Sequence, residues 1–299
     1  MRSLFYLFIA LMLCMTEAKA VEFSAGPIYW HTTESVDWAA NNDMQTPKQN
    51  ITYETAHFNT DPGIRLALAK EGDWTMKWIF TNFNTRTNGS LTGNITSAFL
   101  GARLANLTST YNAEQMSYSI DYNMFNWYIG QNFILTEMLT LQPVVGLTGG
   151  WINQNIKTHL QGTSVSVNET VRNDFSGVGP MFGVNASWKL YQHQQQTLNL
   201  LTSFSTALLA GHWVLSDITE YVSPSPSAPI DLGLGNRNMS ALTVGASVGA
   251  AYQYQAFKAV LSYEINDWFD QGQMFDNATG AHNNNLIFQG AVLSLAWVV

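Results

Sequence analysis

The segment Leu242-Thr-Val-Gly-Ala-Ser-Val-Gly-Ala-Ala-Tyr-Gln-Tyr254 alternates between two kinds of side chain with a period of two. Successive side chains of an extended strand point to opposite faces, so one face here is apolar and the other is small or polar. In a soluble sandwich the polar face would normally turn Lys and Glu toward water. Here it carries mainly Gly, Ser, Thr and Gln, which is typical of a membrane-spanning strand whose small residues face a barrel interior.

The same alternation recurs along the chain, for example in Ser176–Leu190, and predicts an all-β protein of about ten strands, with eight to twelve allowed. The expected architecture is a transmembrane antiparallel up-and-down β-barrel, and an even number of strands places both of its ends on the same side of the membrane. The predicted strands cover residues 22–31, 56–70, 73–84, 116–134, 138–153, 174–190, 197–213, 239–255, 258–268 and 286–299.

The connections between these strands alternate in length. Short links are predicted at Lys70–Asp73, Leu135–Met138, Tyr191–Thr197 and Gln255–Lys258. Long polar stretches lie between them, at residues 31–55, 84–115, 153–173, 214–238 and 269–285. Short periplasmic turns and long extracellular loops are the usual arrangement of outer-membrane barrels.

The N-terminal segment has the features of a secretory signal peptide. Arg2 gives it a positive start, Leu4–Met15 is apolar except for Cys14 and too short to span a membrane comfortably, and a small-x-small cleavage pattern follows. A lipoprotein signal that uses Cys14 is the alternative. We expect a signal peptide at residues 1–20 and one barrel domain at residues 21–299, which contains no cysteine for disulfides.

Composition and charge exclude several classes of protein. Removal of Arg2, Lys19 and Glu17 leaves 11 basic and 20 acidic residues, so nucleic acid is not an expected partner. Charged residues form 11% of the chain, against about 25% in a typical soluble domain. A chain poor in charge and rich in aromatics, without long apolar runs after residue 20, fits a membrane barrel.

Aromatic residues lie near both ends of the predicted strands, which indicates two girdles at the membrane interfaces. Ordinary β-propensity is the alternative explanation. The girdle on the short-turn side would contain Trp74, Trp188, Tyr191, Tyr252, Tyr254, Phe257 and Trp297. The girdle on the long-loop side would contain Trp30, Phe83, Trp151, Trp213 and Trp268.

No catalytic, metal-binding or cofactor-binding motif is present in the sequence, and we expect neither enzyme activity nor a cofactor. The six histidines are scattered, and there is no HExxH, GxSxG or phosphate-binding loop. One enzymatic alternative is an outer-membrane protease with acidic and histidine residues at the outer rim. The residues near that rim are His31, Asp37, His212, Asp217, Asp267 and Asp270.

The best candidates for functional residues are charged side chains that the strand registers turn toward the lumen. A charge in a closed lumen is costly unless it is paired or hydrated, so these residues either line a wet pore or form structural ion pairs. Lys77, Lys189 and Lys258 lie near the short-turn end and would make that mouth basic. The pore-lining candidates are Arg65, Lys77, Asp121, Lys189, Lys258 and Glu264.

Several blocks of sequence resemble the Legionella-type major outer-membrane proteins, a pore-forming family of Gram-negative bacteria. They include Asp61-Pro-Gly-Ile-Arg-Leu-Ala-Leu-Ala-Lys-Glu-Gly-Asp-Trp-Thr-Met-Lys-Trp78, Asp121-Tyr-Asn-Met-Phe-Asn-Trp-Tyr-Ile-Gly-Gln-Asn-Phe133 and Asn173-Asp-Phe-Ser-Gly-Val-Gly-Pro-Met-Phe-Gly-Val-Asn-Ala-Ser-Trp188. The resemblance covers most of residues 21–299 and implies a pore-forming barrel in the outer membrane. Two departures are the missing cysteines and the end Trp297-Val-Val299, which lacks a terminal aromatic residue.

Two functions follow from this reading. The first is a porin-like barrel for passive diffusion of small hydrophilic solutes or ions. The second is a structural or adhesive barrel with a filled lumen, because ten strands are close to the eight-strand size that side chains can fill. Expected partners are outer-membrane lipid and small solutes or ions, and a homo-oligomer or a host or envelope partner of the loops is left open.

Overall fold

The computed structural model describes residues 20–43, 50–72, 74–105, 110–223, 225–273 and 284–299. The signal peptide expected at residues 1–20 therefore lies outside the described residues except for Ala20. In chain order the described elements are β1 (Ala20–Thr33), β2 (Asp37–Asp43), β3 (Asn50–Thr55), β4 (Thr60–Glu71), β5 (Trp74–Ser97), α1 (Leu100–Ala105), β6 (Tyr111–Gln131), β7 (Phe133–Ile134), β8 (Leu139–Gln161), β9 (Ser166–His193), β10 (Gln196–Ser223), β11 (Ile230–Asp231), β12 (Arg237–Tyr254), β13 (Phe257–Gly272) and β14 (Asn284–Val298).

Ten of these strands form a closed antiparallel barrel. Each pairs with the next long strand along the chain, and β1 pairs with both β4 and β14, so no long strand is left with a free edge. The seam continues to the chain end, where the N–H groups of Val21 and Val299 each donate to the other residue's carbonyl at 2.9 Å. The predicted fold class and strand number are confirmed, and the short strands β2, β3, β7 and β11 extend this sheet.

Short turns lie at one end of the barrel. The connections β4–β5, β9–β10 and β12–β13 contain only two residues each, and the remaining short link, between β6 and β8, contains β7. Gln194 and Gln255 begin two of these turns and have positive φ values of 49° and 54°. The predicted positions of the short links are confirmed.

The outer face of the lower barrel is apolar. The registers place Leu242, Val244, Ala246 and Val248 on this face, as expected, and the intervening Thr and Gly residues on the inner face. Exposed large apolar side chains on the outer face include Ile64, Leu66, Phe125, Leu147, Trp151, Val178, Phe182, Phe204, Leu208, Leu261, Leu293 and Trp297. This band is the surface that faces lipid.

The upper edge of the band is marked by a row of four directly paired polar residues, which we call the edge row. Asn84 pairs with Asp121, Asp121 with Asn153, and Asn153 with Asp174. One row lower, the outer face still carries Asn82, Asn123 and Ser176 beside Trp151, and below that row it is apolar, with Phe125 and Val178. The edge row therefore lies in the polar zone just above the apolar band.

Five strands continue far above the edge row, into stretches where the sequence predicts loops. Strand β5 runs to Ser97, β6 begins at Tyr111, β8 runs to Gln161, β9 begins at Ser166 and β10 runs to Ser223. Outside the membrane, water lies against the outer face, so a strand there needs polar residues outside and apolar residues inside. Residues 153–161 have this pattern, and their many Asn, Gln, Lys and His residues led to the incorrect loop prediction.

A charge placed on the lipid-facing band should destabilise the barrel strongly. Leu208 is 52% exposed on the outer face of β10. We expect Leu208→Arg to lower the free energy of unfolding in lipid vesicles by about 2–4 kcal/mol. Ser216→Arg, on the same face of β10 but above the edge row, should cost less than about 1 kcal/mol. Urea titrations of both variants measure the difference, and equal losses would contradict the assigned membrane edge.

Candidate functional site

The lumen of the lower barrel is lined by small and polar side chains. Ser203 and Ser247 hydrogen-bond across neighbouring strands at 2.7 Å, Asn185 donates to Gln142 at 2.9 Å, and Thr148 bonds to Asn126. Many of these inner residues are half-buried rather than fully enclosed. Water therefore reaches this part of the lumen.

At the periplasmic mouth there is a cavity of about 740 Å³. Its polar lining includes Thr140, Ser187, Lys189, Gln192 and Asn199. The β6–β8 turn contributes Thr136, Glu137 and the apolar residues Ile134 and Met138. The lower lumen thus opens on the side of the short turns.

Two of the predicted lumen charges form an ion pair across the interior. Both terminal nitrogens of Arg65 donate to the carboxylate of Glu264 at 2.8 Å, and Arg65 Nε donates to Thr81 at 3.0 Å. The guanidinium carbon also lies 5.5 Å from the centre of the Trp30 ring. This geometry is a bidentate pair with an added cation–π contact.

The other candidates are placed differently. Lys258 donates to Glu22 at 2.8 Å, whereas Lys77 and Lys189 point inward and, among the described residues, form no salt bridge. Asp121 was predicted to face the lumen and does not. It shares the outer face of β6 with Phe125 and lies in the edge row beside Asn84. Near this point both faces of β6 carry aromatic and polar residues, so the alternation alone gave the wrong face.

Above the ion pair, seven aromatic side chains cross the lumen; we call them the aromatic layer. Neighbouring rings in the layer have centroids 4.6–6.0 Å apart, and no member is more than 6% exposed. Its members are Trp30, Phe83, Tyr122, Phe175, Trp213, Trp268 and Phe288.

The aromatic layer corrects the predicted outer girdle. Trp30, Phe83, Trp213 and Trp268 lie inside the barrel, and only Trp151 of that set faces outward, with 48% exposure. The reason is that the inner face changes from polar to apolar near the membrane edge, so an aromatic residue at this height can face the interior instead of the lipid. On the short-turn side, Trp74, Tyr191, Tyr252, Tyr254, Phe257 and Trp297 are 40–59% exposed, as expected for a girdle.

The barrel above the aromatic layer is filled by a continuous apolar core. The segment between β1 and β4 contributes Val36, Trp38 and Phe58, and the segment around α1 contributes Phe99 and Ala102. Inner side chains of β6, β8, β9 and β10 pack against them. The stretches that are long and polar in the sequence thus contribute side chains to an apolar core, which resembles that of a soluble protein.

A polar network that was not predicted from the sequence is buried in this core. Glu34 accepts hydrogen bonds from the Tyr118 hydroxyl and from Gln154 Nε2, the latter at 2.7 Å. Asn173 links Gln154 to the main-chain carbonyl of Gln271. Burial raises the pKa of Glu34 to about 7, although its hydrogen bonds act in the opposite direction.

Two further carboxyl groups, of Asp217 and Glu169, lie beside α1, and a third, of Glu114, lies near Glu169. The Gly101 N–H donates to Asp217 at 2.9 Å and the Ala102 N–H donates to Glu169 at 2.7 Å. Only glycine fits at position 101, since a Cβ there would lie 2.0 Å from the Thr219 hydroxyl. Burial raises the pKa values of Glu169, Asp217 and the fully buried Glu114, and the carboxyl of Asp217 raises that of Glu169 further.

The residues of the protease alternative are not brought together as one site. His212 and Asp217 lie on opposite faces of β10, because one pairs with Asn238 on the outside and the other contacts α1 inside. His31 and Asp267 share the outer faces of their strands, next to the inward Trp30 and Trp268. In the described part of the chain, no group of three or more His, Cys, Asp or Glu is suited to a metal ion.

These observations define the class of protein. A closed barrel of ten antiparallel strands, with an apolar outer band and short turns at one end, is an outer-membrane β-barrel. Within the described residues, no helix has the length and hydrophobicity needed to cross a membrane.

The sequence places the barrel in one family. Residues 14–299 match the family described as the Legionella pneumophila major outer membrane protein precursor, and the chain belongs to that family. The resemblance noted above and the bacterial outer-membrane location are thereby confirmed. No curated protein matches the chain.

Several solved barrels are distantly similar. The outer-membrane protease OmpT from Escherichia coli has 11% identity and a TM-score of 0.42, covering 94% of this chain and 96% of OmpT. The attachment invasion locus protein Ail of Yersinia pestis has 10% identity and a TM-score of 0.27, covering 94% and 98%. The toluene transporter TodX of P. putida has 10% identity and a TM-score of 0.30, covering 95% and 91%. At these values the likenesses add nothing about function.

The Arg65–Glu264 pair should behave as a structural contact. We expect Arg65→Leu to destabilise the barrel by about 3 kcal/mol, because it leaves a carboxylate with an 11% exposed side chain without its partner. The double variant with Glu264→Leu should recover most of this loss. Lys77→Leu, which breaks no ion pair, should cost less than about 1 kcal/mol. Urea unfolding gives all three values. A loss of stability in Arg65→Leu as small as that in Lys77→Leu would indicate that Arg65 and Glu264 are freely hydrated.

Stability should fall as the pH rises from about 4.5 to 7. The pKa of Glu34 is raised from 4.5 to about 7 in the folded state, so the folded barrel holds a proton that the unfolded chain releases. Stability is therefore greatest below the unfolded pKa and is lost as the pH rises through the folded one. Over this range Glu34→Gln should reduce the slope by up to about 1.4 kcal/mol per pH unit.

The matched control for this measurement is Glu137→Gln, which changes an exposed carboxyl in the periplasmic turn. Its urea midpoints should follow the wild-type pH dependence. An unchanged slope in Glu34→Gln would show that Glu34 is not the group that titrates in this range.

Proposed function

We propose that this protein is an outer-membrane barrel with a filled lumen, which serves the envelope as a structural element and presents its outer wall at the cell surface. The observation that carries the proposal is the aromatic layer. Seven of the ten barrel strands contribute a ring to it, and all seven rings are 6% exposed or less. A solute that entered the lower lumen would meet this layer.

The remaining three strands place buried or closely packed residues beside the layer. Strand β8 supplies Ile152 and β12 supplies Ala241, which are 0% and 2% exposed. Strand β4 supplies Gly63, where a Cβ would lie 2.9 Å from the Ile28 side chain, and Arg65, which is held by Glu264. The closed layer continues upward into the apolar core, so widening it would separate many packed side chains.

Passive diffusion of small hydrophilic solutes or ions is the second candidate. It is favoured by the water-accessible lower lumen, by its small polar lining and by Lys77 and Lys189, which form no salt bridge among the described residues. In this reading Arg65, Lys77, Lys189, Lys258 and Glu264 line the path, and the aromatic layer moves when a solute passes.

We also propose that the barrel is not an enzyme. Asp217 faces the interior, whereas His212, His31 and Asp267 face outward, so these residues do not form one site. Outer-membrane lipid is the first partner of such a barrel. A second copy of the chain and a host or envelope partner remain candidates for its outer surface.

Conductance in a planar bilayer distinguishes the two candidates. We expect wild-type protein, refolded and shown to be folded by its heat-dependent electrophoretic mobility, to produce no reproducible discrete current steps. Reproducible steps whose ion selectivity changes in the double variant Lys77→Gln/Lys189→Gln would contradict the filled lumen and support the pore. Lys70→Gln, which removes a charge from the outer face near the same end, serves as the control.

A further inference from the structure

Above the edge row, the outer wall formed by β5, β6, β8 and β9 carries two rows of paired residues, which we call the wall patch. The lower row consists of Arg86, Ser119, Asn155 and Arg172. The upper row consists of Asn88, Ser117, Lys157 and Thr170. All eight side chains point away from the lumen, because they alternate along their strands with inner residues, which are buried on β6, β8 and β9.

The wall patch contains three exposed cations. Arg86 is exposed, and its Nε donates to the Ser117 hydroxyl at 2.9 Å. In the described part of the chain, Arg86, Lys157 and Arg172 take part in no salt bridge. Their positions in the registers place Lys157 diagonally beside Arg172, about 7–8 Å away, and Arg86 about 14 Å from Arg172.

Small hydrogen-bonding groups lie between these cations. Ser117, Ser119, Asn155 and Thr170 fill the positions between the three charges, and none is large enough to cover them. A hollow of about 670 Å³ continues upward from the patch, and its lining includes Lys157, His159 and Asn168. The wall thus offers cations and polar groups around a space that could receive phosphate and sugar groups.

The height of the patch indicates which molecule carries the phosphate. The lower row is two residues, or about 7 Å along the strand, above the edge row. Below that edge, Trp151 lies in a row with Asn82, Asn123 and Ser176, and Phe125 and Leu147 lie lower; the three apolar side chains are 45–48% exposed. The lower row is four residues, or about 13 Å along the strand, above Trp151. A lipid whose acyl chains lie on this apolar surface would therefore reach the three cations with a headgroup that extends about this far.

Acidic residues limit the kind of lipid that fits. Asp121 and Asp174 lie in the edge row below the cations, and Glu220 lies beside the hollow above them. An anionic group is therefore favoured only in a narrow band, at the height of Arg86, Lys157 and Arg172. This suits a lipid that raises its phosphates above the acyl chains on a sugar, and it suits a simple anionic phospholipid less well.

We propose that the wall patch binds the phosphorylated sugar headgroup of a glycolipid in the outer leaflet. Arg86, Lys157 and Arg172 donate charge-assisted hydrogen bonds to phosphate, and the intervening Ser, Asn and Thr side chains bond to sugar hydroxyls. The acyl chains lie against Phe125, Leu147 and Trp151. The site is outside the barrel, so it does not depend on whether the lumen passes solutes.

The test uses full-length protein refolded in phosphatidylcholine vesicles that contain a minor fraction of diphosphoryl lipid A. Native mass spectrometry after detergent exchange then gives the lipid A retained by each barrel. We expect wild-type protein to retain it, and Arg172→Gln/Lys157→Gln to retain about tenfold less, since two charged hydrogen-bond donors are lost. Lys70→Gln removes one half-buried charge from the outer face of β4 near the short turns and should retain wild-type amounts.

Three results would overturn the proposal. Equal retention by wild type and the double variant would show that these cations do not hold the lipid. Equal retention of phosphatidylglycerol would show attraction to any anionic lipid. Displacement by inorganic phosphate alone would indicate a site for free phosphate. Heat-dependent electrophoretic mobility verifies that each variant is folded, which is expected because both substituted side chains are exposed.

Discussion

The pairing of β1 with β14 is the contact on which the rest of this structure depends. Main-chain N–H and C=O groups have no water to bond with inside the hydrocarbon, so a sheet can cross a membrane only if it has no free edge. The mutual hydrogen bonds of Val21 and Val299 carry this closure to the lower end of the barrel. Closure also creates the interior, and with it the question of what fills the space.

The interior is filled differently below and above the edge row, because the surroundings of the barrel differ at these two heights. Below the edge row, the apolar face of each strand contacts lipid, and the face with small polar residues lines the lumen. Above the edge row, the polar face contacts water, and the apolar face points inward and forms a core. Individual strands pass through both environments, so the meaning of each side chain's polarity is reversed at the height of Asn84 and Asp174.

This reversal explains what could be predicted from the sequence. The ten long strands and the short turns followed from the alternation together with the spacing of short and long links, and the lumen positions of Arg65 and Glu264 followed from the strand registers of the lower barrel. Trp30 and Trp213 were assigned to a girdle at the membrane interface because they lie at the ends of predicted strands, where the inner face has already become apolar. Glu169 and Asn173 alternate with Val167, Val171 and Phe175 in a stretch read as a loop. That alternation could have indicated a strand. The ring contacts and the contacts of Glu169 and Asp217 with α1 depend on pairings between strands that are distant in sequence, so alternation does not predict them.

The extension of β5, β6, β8, β9 and β10 above the membrane has a consequence for how this protein is recognised from outside. Much of its outer surface there is sheet, so neighbouring surface residues such as Arg86, Ser119 and Arg172 come from different strands and are far apart in sequence. An antibody that binds this wall must therefore recognise a conformational epitope. Serum raised against the folded barrel and serum raised against its linear peptides should contain largely different specificities.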